Sequence, residues 1–133
     1  MKTQLEILCV DDNPDIANMM KLSLEMEGHA ATMATTLREA YSVLTQKKYD
    51  LFIVDLTFSD GDGLGLCRAI REYSKHAPIV IYSGGLSHEE VQKSYDAGAT
   101  MCVSKTDDLD PILSIANVMR TAMLAKRNAT ASE

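Results

Sequence analysis

Leu51-Phe52-Ile53-Val54-Asp55 is the stretch of sequence that decides the fold of this 133-residue chain. Four apolar residues follow one another without polar alternation, which is typical of a strand covered on both faces at the centre of a parallel sheet. On either side of it, apolar runs of strand length alternate with helical patterns. This alternation predicts an α/β fold with three α/β/α layers, in which helices cover both faces of a parallel sheet.

The pattern contains five strands and five helices. We predict strands over 5–10, 29–34, 51–54, 78–82 and 101–104. Helices are predicted to begin at a cap and proline (Asn13-Pro14), at two capping boxes (Thr36–Glu39 and Ser87–Glu90), and near Leu64 and Asp108. The last helix is expected to end at Lys126. We therefore predict one domain over 1–126, and a disordered tail or linker stub over 127–133.

Composition excludes several classes of function. A formal net charge of -6 argues against a nucleic-acid surface, which needs a basic patch. No apolar run approaches the ~20 residues of a membrane span. Cys9, Cys67 and Cys102 are too few and too scattered for a disulfide framework or a zinc site. We therefore expect a cytoplasmic protein that binds neither nucleic acid nor membrane.

Polar residues stand where the predicted strands end. Asp11-Asp12 follows the first strand, Asp55 the third, Ser83 the fourth and Lys105 the fifth. In open α/β sheets, ligands bind at the carboxyl ends of the strands. Each residue also has a structural interpretation: an aspartate after a strand often forms a turn, and Asp11-Asp12 could serve a helix N-terminus. The conjunction of all five at one edge favours a functional site.

These residue types suit phosphoryl transfer. Crowded carboxylates either raise their own pKa values or recruit a cation, and hard oxygen ligands in an open cleft suit Mg²⁺. A carboxylate can act as a nucleophile and form an acyl phosphate. Asp55 stands alone at the end of the central strand and is the predicted nucleophile, with Asp11 and Asp12 as the metal-binding pair. Lys105 would neutralise charge on the transferring group, and Ser83 would offer a hydroxyl.

Six short motifs resemble the receiver domains of bacterial two-component response regulators. They are Val10-Asp11-Asp12-Asn13, Asp50-Leu-Phe-Ile-Val-Asp55-Leu56, Asp60-Gly61-Asp62-Gly63, Pro78-Ile-Val-Ile-Tyr-Ser83-Gly84, Ala97-Gly98-Ala99 and Ser104-Lys105. The resemblance extends from about Leu5 to Met123. It implies a flavodoxin-like fold, a five-stranded parallel sheet with strand order 2-1-3-4-5.

The resemblance also implies how the site works. Asp55 would accept a phosphoryl group from a histidine kinase or a histidine phosphotransfer protein. Asp12, Asp55 and the backbone carbonyl of Thr57 would hold Mg²⁺, with Asp11 acting largely through water. Lys105 would pair with the acyl phosphate and Ser83 would move to hydrogen-bond it. The protein would then be a switch rather than an enzyme.

The expected readout surface is the fourth helix, fifth strand and fifth helix, which would contact a downstream protein or form a dimer. The sequence departs from the family pattern at several positions around the site. Cys102 stands where many relatives carry an aromatic residue, and Ser59 and Thr106 stand where proline is common. Gly85 and Thr57 occupy two positions that influence the lifetime of the phosphate in this family.

The sequence pattern allows three alternatives to this interpretation. A dinucleotide-binding protein would need a glycine-rich turn after the first strand, where this chain has Asp11-Asp12-Asn13-Pro14. A haloacid dehalogenase-type phosphatase would need a second acidic residue two positions after the nucleophile, where Thr57 stands. The remaining alternative is a receiver-like module that binds a partner without being phosphorylated.

Overall fold

The computed structural model describes residues 3–131. Its strands are β1 (Glu6–Val10), β2 (Ala30–Ala34), β3 (Leu51–Val54), β4 (Thr57–Phe58), β5 (Gly61–Asp62), β6 (Ile79–Ser83) and β7 (Met101–Ser104). Its helices are α1 (Pro14–Met26), α2 (Leu37–Leu44), α3 (Gly63–Tyr73), α4 (His88–Asp96) and α5 (Asp110–Ala131).

Five of these strands form one parallel sheet in the order β2-β1-β3-β6-β7. Because β6 and β7 are the fourth and fifth predicted strands, this order is the predicted 2-1-3-4-5. All four residues of β3 are buried, as expected for a strand covered on both faces. The predicted three-layer, flavodoxin-like fold is confirmed.

Two apolar cores lie on opposite faces of the sheet, because successive side chains of a strand point to opposite sides. One core packs β-strand residues against α2, α3 and the end of α4, with Leu37, Leu66 and Ile70 among its buried members. The other packs them against α1 and α5 through Met20 and Ile112. The sheet is thus held between two helical layers, and its carboxyl edge is left open.

The helix starts follow the predicted capping signals, with one difference. Asn13 caps α1 ahead of Pro14, and Ser87 and Glu90 form a complete capping box on α4. Thr36 accepts the Glu39 amide, but the Glu39 carboxylate accepts from the amide and hydroxyl of Thr35 instead of the Thr36 amide. In the predicted Thr36–Glu39 capping box, the contact of the Glu39 carboxylate is therefore displaced by one residue.

The segment after Asp55 is more ordered than its composition indicated. Residues 59–63, which by their glycine and aspartate content are typical of a loop, contribute β5, which pairs antiparallel with β4. The last of them, Gly63, begins α3. The Asp60 carboxylate accepts from the amides of Leu37 and Arg38, both at 3.3 Å. The β4–β5 hairpin, which follows Asp55 in sequence, therefore also caps the N-terminus of α2.

The last helix continues to Ala131, five residues beyond its predicted end at Lys126. Residues 127–131, predicted as part of a disordered tail, are helical, because neither glycine nor proline interrupts them and alanine favours a helix. Residues 132 and 133 of that predicted tail lie outside the described residues. Within 3–131, no helix combines the length and apolarity needed to cross a bilayer.

Candidate functional site

Asp55 lies at the open carboxyl edge of the sheet and is 7% exposed. Its amide still bonds to the Val10 carbonyl at 2.9 Å, so β1 fixes its main chain. One carboxylate oxygen, Oδ1, accepts from the Leu56 amide and the Ser83 hydroxyl, each at 2.7 Å. The other, Oδ2, accepts from Lys105 Nζ at 2.8 Å.

Lys105 bridges two carboxylates. Its Nζ lies 2.6 Å from Asp11 Oδ2 and 2.8 Å from Asp55 Oδ2. Burial by itself would lower the pKa of Lys105, but its close contacts with the carboxylates of Asp11 and Asp55 outweigh this effect, and the pKa is raised. Lys105 is therefore a fixed positive charge at the site.

Asp11 is the most buried carboxylate of the group, at 1% exposure. Its Oδ1 accepts from the Asn13 amide at 2.9 Å. Its Oδ2 is close to Lys105, although the approach does not have hydrogen-bond geometry. Burial raises the pKa of Asp11 more than the nearby Lys105 ammonium and the hydrogen bond from the Asn13 amide lower it.

Asp12 and Thr57 lie at the rim of the site, and both are exposed. Asp12 Oδ1 is 3.5 Å from the Ser59 hydroxyl, and the Thr57 amide is 3.5 Å from Asp55 Oδ1. Over residues 3–131, no three His, Cys, Asp or Glu side chains converge closely enough to enclose a metal ion. Lys105, rather than a third carboxylate, lies between Asp11 and Asp55.

The charges and donor atoms nevertheless fit a hard divalent cation. Three carboxylates (Asp11, Asp12 and Asp55) and one ammonium (Lys105) carry a formal excess of two negative charges (3 − 1 = 2). Mg²⁺ is usually bound by one or two carboxylates plus waters and phosphate oxygens, so a closed cage of side chains is not required.

Glycines lie next to two of the site residues, Asp55 and Ser83. A Cβ on Gly63 would collide with the main-chain carbonyl oxygen of Asp55, so the first residue of α3 lies directly against the Asp55 main chain. A Cβ on Gly84 or Gly85, after Ser83, would meet nothing within 4 Å. The loop after β6 therefore has open space at both glycine positions.

Cys102 packs against the core beneath α4 and is partly buried. Burial raises the pKa of its thiol, while a hydrogen bond with Ser94 lowers it by less. Ser94 is itself fully buried and donates to the Glu90 carbonyl at 2.7 Å. The region beneath α4 is thus filled by two small side chains.

The chain matches the family model for the response regulator receiver domain over residues 7–117. It belongs to that family. The fold and the receiver function predicted from the sequence are thereby confirmed, and the family match does not favour the alternative of a receiver-like module without phosphorylation.

Curated relatives and a solved structure agree with this assignment. The sensor protein EvgS of Escherichia coli O157:H7 is 30% identical over 80% of the chain, and KdpE, the KDP operon transcriptional regulatory protein of Escherichia coli strain K12, is 31% identical over 74%. A crystal structure of a two-component response regulator from Clostridium difficile is 27% identical and superposes with a TM-score of 0.84, covering 90% of this chain and 98% of that one. The chain spans 9% of the length of EvgS and 44% of that of KdpE.

The structure thus brings four of the predicted site residues into direct contact: Asp11, Asp55, Ser83 and Lys105. It leaves Asp12 and Thr57 at the rim. Sequence reasoning assigned no site role to Gly63, whose proximity to the Asp55 carbonyl depends on how β3 meets α3. The motif Asp60-Gly61-Asp62-Gly63 was the available signal, but the pattern alone did not show what the last glycine contacts.

Proposed function

We propose that Asp55 is the phosphoryl acceptor of this receiver. The observation that supports the proposal best is that both of its carboxylate oxygens are held by groups suited to phosphoryl transfer: the Ser83 hydroxyl on Oδ1 and the Lys105 ammonium on Oδ2. These contacts orient the carboxylate at the open edge of the sheet.

The donor in this proposal is a phosphohistidine of a histidine kinase or a histidine phosphotransfer protein. A carboxylate oxygen of Asp55 forms the new P–O bond while the P–N bond of the donor breaks, and the electron pair leaves with the imidazole nitrogen. Lys105, already 2.8 Å from Asp55, would offset negative charge on the phosphoryl oxygens.

The proposed cofactor is Mg²⁺, held by the carboxylates of Asp12 and Asp55 and the main-chain carbonyl of Thr57, with Asp11 acting through water. When bound, the ion would neutralise charge on the phosphoryl group. The exposure of Asp12 and Thr57 at the rim supports this proposal, because both would be accessible to a hydrated ion.

Ser83 connects the chemistry to a change of shape. In the unphosphorylated chain its hydroxyl donates to Asp55 Oδ1 at 2.7 Å. An acyl phosphate at Asp55 would offer new acceptor oxygens, and we propose that Ser83 turns towards them and draws the loop before α4 with it. The chain is in this sense a switch: its own residues promote gain and loss of the phosphoryl group, and it converts no separate substrate.

The proposed output surface is formed by α4, β7 and α5, which would contact a downstream protein or a second copy of the chain. Exposed apolar side chains on two of these elements support the proposal, since Tyr95 is 46% and Val118 is 68% exposed. We also propose a cytoplasmic location. Cys9, Cys67 and Cys102 are free thiols, and the cytoplasm keeps thiols reduced.

The test is phosphorylation of the purified chain by a small amidate or acyl phosphodonor with Mg²⁺, followed by intact mass measurement. We expect one phosphoryl adduct on the wild type, none on Asp55→Ala, and much less when a chelator removes Mg²⁺. Asp107→Ala, a change at an exposed aspartate beyond Lys105, is the matched control and should retain the adduct. No adduct on the wild type, or an undiminished one on Asp55→Ala, would contradict the proposal.

A further inference from the structure

Tyr82 is a polar residue inside the core, next to Ser83 on β6. Its ring is 2% exposed and packs with the apolar cluster on the α1 and α5 side of the sheet. A buried phenol needs a hydrogen-bond partner, because an unsatisfied hydroxyl would be costly there. Its hydroxyl donates to the main-chain carbonyl of Thr106 at 3.2 Å.

Thr106 follows Lys105 in the segment between β7 and α5. The Lys105 amide donates to the Ser83 carbonyl at 2.9 Å, and this bond lies at the end of the sheet ladder. Beyond it, the Thr106 hydroxyl and Asp108 bond to each other in a local turn that does not reach the sheet. The Tyr82 hydroxyl therefore ties the main chain directly after Lys105 back to the core.

A cavity of about 350 Å³ lies beside this segment. Tyr82, Lys105 and Thr106 border it, together with Ile16 and Met19 from α1. Because there is empty space on that side, packing alone does not fix the position of the segment. The hydrogen bond from Tyr82 supplies a directional contact where packing contacts are missing.

We infer that Tyr82 is a positioning residue for Lys105. Its hydroxyl fixes the main chain after Lys105 and so keeps the ammonium between Asp11 and Asp55. This inference rests on the proposed role of Lys105 in phosphoryl transfer to Asp55, and its first test does not depend on phosphorylation.

The first measurement compares the reactivity of individual lysines in the wild type and in Tyr82→Phe. Brief labelling with acetic anhydride and peptide mass spectrometry give the rate at each lysine. Lys105 is ion-paired and 19% exposed in the side chain, so it should react slowly in the wild type. In Tyr82→Phe we expect its rate to rise about fivefold, the effect of one neutral hydrogen bond. Lys93 should not change.

The second measurement is the rate of adduct formation with the small phosphodonor and Mg²⁺. Tyr82→Phe should slow it about fivefold, for the same lost hydrogen bond. Tyr49→Phe is the matched control, since Tyr49 is also buried but precedes β3, at the opposite end of the sheet from the site. Its rate should equal that of the wild type.

The outcomes separate this inference from the proposed function. Unchanged labelling of Lys105 in Tyr82→Phe would overturn the inference, whatever the phosphorylation result. Raised labelling with an unchanged rate of adduct formation would also overturn it, because Tyr82 would then not serve the reaction. No adduct on the wild type would instead refute the proposed function. A rise in labelling at all lysines would indicate general loosening and would likewise count against the inference.

Discussion

Lys105 is the residue on which the electrostatics of the site depend. It is within ion-pairing distance of two carboxylates, Asp11 and Asp55, and one of these is almost completely buried. A buried carboxylate is costly without a positive partner. Lys105 therefore stabilises the carboxylates of the site, and in the proposed mechanism it has a second role, which is to neutralise the phosphoryl group after transfer.

Replacing Lys105 by methionine tests the second role. We expect the rate of adduct formation at Asp55 to fall by roughly a hundredfold, the typical effect of removing a group that stabilises charge in a transition state. Intact mass measured over time gives the rate. Lys93→Met, which removes an exposed lysine paired with Glu89, should leave the rate unchanged. A Lys105→Met rate within a factor of about two of the wild type would contradict the role.

Gly63→Ala tests the packing beneath Asp55. The added Cβ would collide with the Asp55 carbonyl oxygen, and this main chain is held by β1 and cannot yield easily. We expect the free energy of unfolding to fall by about 1–3 kcal/mol, as in overpacked cores. Urea unfolding measures this. Gly65→Ala, two residues along the same helix, is the control. Its added Cβ would lie at an ordinary contact distance from the Tyr41 hydroxyl, so the free energy of unfolding should be unchanged or higher. Equal stability of the two variants would contradict the account.

At the scale of elements, a polar cluster joins the turn after α1 to α5 at the end of the molecule away from the site. His29 is 2% exposed and its Nε2 lies 2.9 Å from Asn117 Oδ1. Arg120 donates to the same Oδ1 and, at 2.7 Å, to the Glu27 carbonyl. His29 Nδ1 is buried and lacks a partner among the described residues. Burial lowers the pKa of His29, and the positive charge of Arg120 lowers it further.

This arrangement predicts a pH-dependent stability. Because the pKa is lower in the folded chain, the unfolded chain binds the proton more readily, and stability falls as pH decreases through the unfolded value of about 6.5. His29→Gln should lose this part of the pH dependence while still offering a donor to Asn117. Urea unfolding of both proteins above and below that pH measures the effect. An identical loss of stability in the wild type and the variant would exclude His29 as the source.

At the scale of the whole molecule, the sequence was most informative where apolar pattern alone decides the structure. The uninterrupted apolar run in β3 identified a central strand. The alternation of strands and helices then predicted three layers, and it predicted the carboxyl edge of the sheet where Asp55 and Lys105 meet. The β4–β5 hairpin was missed, because its glycine and aspartates are also typical of an irregular loop. The Tyr82–Thr106 bond joins residues 24 apart in sequence, and no local pattern predicts such a pair.

The positions of the residues proposed to bind Mg²⁺ also depended on three-dimensional detail. Sequence spacing placed Asp11 and Asp12 together at one strand end, but in the structure one is buried against Lys105 and the other is exposed at the rim. Neighbouring residues at a strand end point in different directions, so adjacency in sequence did not give a shared ligand geometry.

The most direct test of the central claim is the identity of the residue that carries the phosphoryl group. Borohydride reduces an aspartyl acyl phosphate to homoserine, whereas a phosphoester on serine or threonine does not react. The wild type would be phosphorylated with the small donor and Mg²⁺, reduced and mapped by peptide mass spectrometry. We predict homoserine at position 55 and unchanged aspartate at Asp11 and Asp12. Homoserine at either of those positions, or a phosphoryl adduct that resists borohydride, would contradict the account.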